Sequence, residues 1–422
     1  MKKILFLILM AGCRQPEVVI PEVETARPIA LAVSSTISSI MGTAVAAATN
    51  NPHYNSPLTN PSILSFVGGN PTPGLSTVYW AVNADTVNTT GPFAYYGGDL
   101  KIAFRSFVRF PVAHIASSGG NVDDGYSATA YRVGFYTDAP VVNVGVLGNS
   151  GYRFVVDSRY VSLKNINIDK GGGQFIQLDF TNEGGSKPRF IQVEGATASG
   201  FLGVAVPASY KVWRPVTSSR LLFVGDSYTL GAAIPNEADG YARVAGDFLG
   251  VYDTWMSGVG GTGYTSIGGS GLNFSQRITD WTTKNPDVVV FGGGLNDADD
   301  DALQPAVLSL LQTTRAALPS AIIMVLGVFP ASTGPDIRIL NKERKIAAAV
   351  KQFADSNTRF IPISTDPMGA WVTGTGHVGL PTGVGNSDIV TGADGTHPSV
   401  YGYLYYGQRV ATGLMEALRS LR

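Results

Sequence analysis

Residues 221–231 read Leu221-Leu222-Phe223-Val224-Gly225-Asp226-Ser227-Tyr228-Thr229-Leu230-Gly231. Four consecutive apolar residues without alternation describe a strand covered on both faces, as in a parallel sheet between helices. Gly225 then ends the run, and Asp226 and Ser227 are residue types that cap a helix start. Ser227 therefore falls at the carboxyl end of a buried strand, where open α/β sheets carry their reactive groups. A serine hydroxyl is a weak nucleophile near neutrality unless a histidine takes its proton, and a carboxylate that fixes the histidine tautomer improves that base. Asp394-Gly395-Thr396-His397-Pro398, near the carboxyl end, offers both groups. The pairing reads as a hydrolase site.

Outward from Ser227 the same rhythm continues. Residues 252–256, 288–291, 321–326 and 360–363 are further short apolar runs, and 240–249, 274–284, 303–317, 337–354 and 401–421 read as helices. Strand and helix in alternation predict a parallel sheet with helices on both faces over residues 216–422. Upstream, the pattern changes to short alternating runs at 131–136, 141–146, 152–156, 175–180, 189–193 and 201–206, separated by turn signals such as Gly148-Asn149-Ser150-Gly151 and Gly171-Gly172-Gly173. Strands at this spacing predict an all-β sandwich over 61–215, most simply a jelly roll. Residues 13–60 are expected to form a tether. Within it the small-residue stretch from 29 to 48 contains Ser34, Ser35, Thr36, Ser38, Ser39 and Thr43, too polar for a membrane span, and reads as a linker or one packed helix.

Composition narrows the function. The 30 basic and 31 acidic residues give a formal net charge of -1, with no long basic run, which argues against a phosphate-neutralising nucleic-acid surface. Cys13 is the single cysteine, so no intramolecular disulfide forms. Met1-Lys2-Lys3, the apolar residues 4–10 and Ala11-Gly12-Cys13 resemble a bacterial lipoprotein signal, with Met10 where such signals usually carry Leu. That resemblance implies a signal peptide over 1–12 and lipidation at Cys13. The chain would then be anchored in the cell envelope, at the outer membrane of a two-membrane cell because Arg14 replaces the Asp of inner-membrane retention, or secreted without the lipid.

Four blocks in fixed order resemble the SGNH (GDSL-type) hydrolase superfamily. They are Gly225-Asp226-Ser227, Ser257-Gly258-Val259-Gly260-Gly261-Thr262-Gly263-Tyr264, Gly294-Leu295-Asn296-Asp297, and residues 394–397. Any block alone is an ordinary turn or helix cap; the specificity lies in all four together, over about 219–422. The resemblance implies a three-layer α/β/α domain with Ser227 as nucleophile, His397 as base and Asp394 orienting it. It also implies oxyanion donors at the backbone of Ser227, the backbone of Gly261 and the Asn296 amide, with Gly258 and Gly260 as alternatives to Gly261. Such donors stabilise the charge that develops on the carbonyl oxygen. No cofactor is implied, and no HxH, HExxH or Cys/His cluster points to a metal. The acidic run Asp297, Asp299, Asp300 and Asp301 is expected to cap the next helix, with calcium a minor alternative, and His377 is a candidate pocket residue. His53 falls in the expected tether and His114 in the sandwich.

A β-sandwich before an SGNH domain is similar to bacterial carbohydrate esterases. The expected substrate is therefore an ester, most simply an acetylated glycan, attacked through an acyl-enzyme. O-acyl transfer through the same triad and a non-catalytic glycan-binding surface lipoprotein are the alternatives. The intact Ser227, Asn296, Asp394 and His397 speak against the last.

Overall fold

The computed structural model describes residues 29–59, 62–67, 70–109, 132–195, 199–217, 219–331 and 334–422. In its carboxyl-terminal half five strands form one sheet in the order Thr254–Gly258, Leu221–Gly225, Val288–Gly292, Ile322–Leu326, Thr358–Ile361. Every neighbouring pair is parallel. Side chains alternate between two cores, as a pleated strand requires. Leu221, Phe223, Val290 and Met324 face one helical layer, while Leu222, Val224, Val289, Phe291, Ile323 and Val325 face the other.

Among the described residues eight α-helices surround or precede this sheet: α1 (Ile29–Ala47), α2 (Ser227–Leu230), α3 (Tyr241–Leu249), α4 (Thr279–Thr282), α5 (Leu303–Ala317), α6 (Ile337–Phe353), α7 (Ser387–Val390) and α8 (Val400–Arg419). The first core lies under α1, α3 and α8, the second under α5 and α6. The helix expected over 274–284 is broken into a single 3-10 turn, Ser275–Arg277, and the short α4. Four β-branched residues, Ile278, Thr279, Thr282 and Thr283, weaken helix propensity there, and Arg277 is drawn under the site.

Of the two readings of residues 29–48, a linker or one packed helix, the structure has the packed helix. Much of the expected tether is α1, whose Val33, Ile37, Ile40 and Ala44 are buried in the same core as the sheet. Their 4-3-4 spacing is a helical stripe, and the intervening small residues allow close approach. Thr43 Oγ1 donates to Leu249 O at 2.8 Å, fastening α1 to the end of α3. No described helix is long and apolar enough to cross a membrane.

The described amino-terminal region folds as two large antiparallel sheets around one core, with a two-stranded ribbon, Val82–Asn83 and Thr86–Val87, beside them. The first joins Ser62–Val67, Gly173–Asp179, Val141–Leu147, Gly200–Val206, Phe107–Arg109 and Lys101–Ala103, and the second joins Arg159–Tyr160, Ser150–Val156, Arg189–Gly195, Arg132–Thr137 and Val212–Trp213. Val142, Val144 and Ile176 of the first meet Phe135, Phe154 and Ile191 of the second in that core. The outward face of the second sheet carries Arg132, Glu194 and Arg153 in one row, because Glu194 is register partner of both arginines.

That row is buried against the α/β half. Arg132 holds Asp247 of α3 at 2.6 and 3.0 Å and also pairs with Glu194; Arg153 reaches Glu194 at 2.8 Å and Asp239 at 2.9 Å. Arg243 and His53 each add a contact to Asp247 at 3.1 Å. Burial pushes the Asp247 carboxyl up, and the Arg132 charge with the His53 hydrogen bond overrides it, holding the carboxyl low. Buried ions need such pairing, since an unpaired one carries an unrecovered desolvation cost.

Candidate active site

Gly225, Gly258 and Gly292 end three adjacent strands in one row. A Cβ on Gly225 would lie 2.0 Å from Thr229 Oγ1, and one on Gly258 would lie 2.3 Å from Leu230 N. Only bare backbone lets α2 sit directly on the strand ends. Ser227 opens α2, half-buried, where the backbone N–H groups of a first helical turn lack helical partners. Asp226 caps the turn, its Oδ1 accepting from Tyr228 N at 2.9 Å.

Tyr228 points inward and links the Ser227 turn to the loop that carries His397. Its hydroxyl lies 2.5 Å from Thr396 O and 3.2 Å from Pro330 O, and its ring centroid is 5.9 Å from that of His397. The loop that carries His397 is closed by a bridge between Thr391 and Pro398 and turns at Gly395, whose φ of 70° is left-handed. Asp394 Oδ1 accepts from Thr396 N and His397 N, each at 2.9 Å, while Oδ2 lies 2.6 Å from His397 Nδ1. Burial raises the Asp394 carboxyl, but the hydrogen bonds from His397 and Thr396 prevail and hold it low. An ionised Asp394 places the imidazole proton on Nδ1, which leaves Nε2 as the free acceptor. Among the described residues Nε2 has no protein partner.

Asn296 lies beside Asp226 at the end of the central strands. Its Nδ2 donates to Asp226 Oδ2 at 3.2 Å and to Thr262 O at 3.1 Å. Of the three glycines open for the second donor, Gly258 packs beneath α2. A Cβ on Gly260 would come 4.0 Å from Ser227 Cβ, and Gly261 adopts a left-handed φ of 74°. Gly260 borders the serine, and both glycines lie on the loop whose Thr262 O holds Asn296.

Several supporting residues escaped the sequence reading. Asp297 does not cap α5, which begins at Leu303 without a side-chain cap. It accepts from Tyr264 N at 3.1 Å, Thr265 N at 2.7 Å, Thr265 Oγ1 at 2.8 Å and Ser266 N at 2.9 Å, fixing the loop after Gly261. Lys342 Nζ in turn donates to Leu295 O and Asp297 O, at 2.8 and 3.1 Å. The buried Arg277 donates to Gly225 O at 3.0 Å and Ser257 Oγ at 2.7 Å, tying the first two blocks from below. The only sequence signal was an acid next to Asn296. Asp299 pairs with Lys345 at 2.8 Å.

His377 lies in an exposed turn with its Nδ1 2.9 Å from Val378 O, and nothing joins it to Ser227. His53 belongs to the buried charge network. His114 and Cys13 lie outside the described residues. Among the described residues no group of three or more His, Cys, Asp or Glu could hold a metal ion.

A parallel sheet between two helical layers, with a serine just past the end of its second strand and an aspartate-bound histidine tied to the same turn, is the arrangement of an SGNH-type ester hydrolase. Residues 223–404 match the GDSL-like Lipase/Acylhydrolase family, and this part of the chain is a GDSL-like lipase/acylhydrolase domain. No curated protein sequence matches the chain. Among solved structures, a family two carbohydrate esterase from Cellvibrio japonicus is similar with a TM-score of 0.55 at 12% identity, over 86% of this chain and 100% of that one. The salicylyl-acyltransferase SsfX3 from a tetracycline biosynthetic pathway gives 0.56 at 14% identity, over 76% and 93%. The acetyl xylan esterase Est2A from the rumen bacterium Butyrivibrio proteoclasticus gives 0.51 at 13%, over 82% and 99%. At such identities the likeness is one of fold.

Proposed function

We propose that this chain is a serine esterase that removes acetyl groups from a polysaccharide or other glycan through an acyl-enzyme. The observation that carries the reading is the Asp394–His397 pair at 2.6 Å, on a loop that Tyr228 fastens to the turn of Ser227. In this mechanism His397 Nε2 takes the Ser227 hydroxyl proton as Oγ attacks the ester carbonyl. The carbonyl oxygen gains its negative charge against Ser227 N, Gly261 N and Asn296 Nδ2. The C–O bond to the sugar then breaks, and His397 returns its proton to the leaving alcohol. Water, activated by the same imidazole, attacks the acyl-enzyme and releases acetate and free Ser227. No step calls for a cofactor.

The glycan substrate is supported by a shared arrangement, a two-sheet β region before the hydrolase fold, that spans the full length of the Cellvibrio japonicus esterase. A second reading, transfer of the acyl group to an acceptor hydroxyl, draws on the equal fold likeness to SsfX3. The two differ only in what attacks the acyl-enzyme. Hydrolysis predicts that acetate accumulates in step with deacetylated glycan even when acceptor sugars are present; acylated acceptor as the main product would favour transfer.

The same reading includes a lipid anchor on Cys13 and a place in the cell envelope. Cys13→Ser should move the protein from the membrane fraction to the soluble one. An unchanged distribution would remove the anchor from the account.

A further inference from the structure

Asn296 spends both of its amide hydrogens at rest, one on Thr262 O at 3.1 Å and one on Asp226 Oδ2 at 3.2 Å. An oxyanion donor must aim a hydrogen at the developing charge. One of those two bonds must therefore yield during the reaction. Thr262 O is a fixed backbone carbonyl, whereas Asp226 Oδ2 belongs to a group whose strength as an acceptor changes with protonation. A hydrogen bond to an ionised carboxylate is roughly twice as strong as one to a neutral acceptor.

Resting on the esterase reading above, we propose that Asp226 is a positioning residue that works in its neutral form, holding the Asn296 amide beside Ser227 and releasing one of its hydrogens to the oxyanion. The surroundings suit a neutral acid. Asp226 is 3% exposed, and its described partners are the Tyr228 backbone and the Asn296 amide, with no cation paired to it. A buried carboxyl without a counter-charge avoids ionising. A second carboxylate, Asp297, acts on it from the same strand end as Asn296, and His397 acts on it from the opposite loop. Tyr228, Tyr241, Tyr264 and Tyr403 face it as neutral phenols, and Arg277 is the cation below, committed to Gly225 O and Ser257. Burial, with Asp297 adding to it, pushes the Asp226 carboxyl up to about 7 against the pull of Tyr228 N and His397. A neutral Asp226 also spares the oxyanion a like charge next to its donor. Ionisation would bring both penalties at once: a competitor for the amide hydrogen and repulsion of the oxyanion.

The test is the pH profile of turnover with para-nitrophenyl acetate, for the wild type and for Asp226→Ser, which keeps a helix-capping oxygen but cannot ionise. Any acid limb is common to both proteins. In the wild type turnover should fall through the alkaline range, by up to about 10²-fold, the cost of losing one oxyanion donor. In Asp226→Ser that alkaline limb should be absent while the acid limb stays. An alkaline limb unchanged in the variant, or lacking in the wild type, would overturn the proposal. Ser227→Ala run alongside separates the two failures: retained activity there sinks the esterase reading itself, and this inference with it.

Stability supplies a readout independent of activity. A carboxyl whose folded pKa is raised contributes stability that is fully present below its unfolded pKa, about 3.9, and is lost as pH rises through about 7 in the fold. The difference in urea midpoint between wild type and Asp226→Ser should therefore shift against the wild type between about pH 4 and pH 8. A constant difference across that range would show an Asp226 that is ionised throughout, contrary to the proposal. Asp226→Asn serves as the second neutral variant in both measurements if the serine variant does not fold.

Discussion

Asp297 takes four hydrogen bonds from three consecutive residues, Tyr264 to Ser266, and so sets the loop that runs from Gly260 to the Asn296 contact at Thr262. Its neighbour Asn296 is the residue proposed to meet the oxyanion. Asn296→Ala should lower kcat by about 10²-fold with little change in KM, since the lost bond forms only in the transition state; a change in KM alone would place Asn296 in ground-state binding. Ser227→Ala and His397→Ala should each remove at least about 10³-fold of turnover, and Asp394→Asn somewhat less. Ser227, Asp394 and His397 were legible because their chemistry is written in short segments, with the acid and base three residues apart. Asp297 and Arg277 were not. The site groups they hold, Gly225, Ser257 and residues 264–266, lie 20 to 52 residues away in sequence, and neither residue type departs from what a loop or a short helix ordinarily carries.

At the scale of elements, the parallel strands announced themselves as unbroken apolar runs, and the observed bounds differ from the expected ones by a residue or two at most ends. α1 was only half legible, since residues 29–48 fitted a linker as well as one packed helix. Its buried residues are Val33, Ile37, Ile40 and Ala44, diluted among serines and threonines, so that only contact with α3 and α8 reveals the stripe. Ile40 is fully buried. Ile40→Ala should therefore destabilise the protein by about 2–5 kcal/mol, read as a lower urea midpoint with an unchanged slope. A cost under about 0.5 kcal/mol is what a surface tether would give. Gly258 carries the complementary expectation: a methyl group there would meet the α2 backbone at Leu230 N, so Gly258→Ala should displace Ser227 and reduce activity more than it reduces stability.

Across the whole molecule the two halves meet through charge. A solvated outer face is the ordinary expectation for an antiparallel sheet in a sandwich, and alternating polar residues in the strands fitted it. The structure buries that face instead, matching Arg132 and Arg153 with Glu194, Asp239 and Asp247. No sequence pattern links residues 132, 153, 194, 239 and 247; only the fold brings them together. Arg132→Ala should cost about 3–5 kcal/mol by stranding buried carboxylates, more than the removal of any exposed ion pair such as Arg338 with Asp336. Global unfolding followed by fluorescence and by circular dichroism should coincide in the wild type, because α3 belongs to both the sheet core and this interface.

Ester cleavage by Ser227 is the central step of the proposed reaction. The most direct measurement is nitrophenolate release from para-nitrophenyl acetate by the wild type and by Ser227→Ala at equal protein concentration, with both proteins shown to be folded. Turnover by the wild type and a rate at background for the variant is the predicted result; equal rates from the two would contradict it.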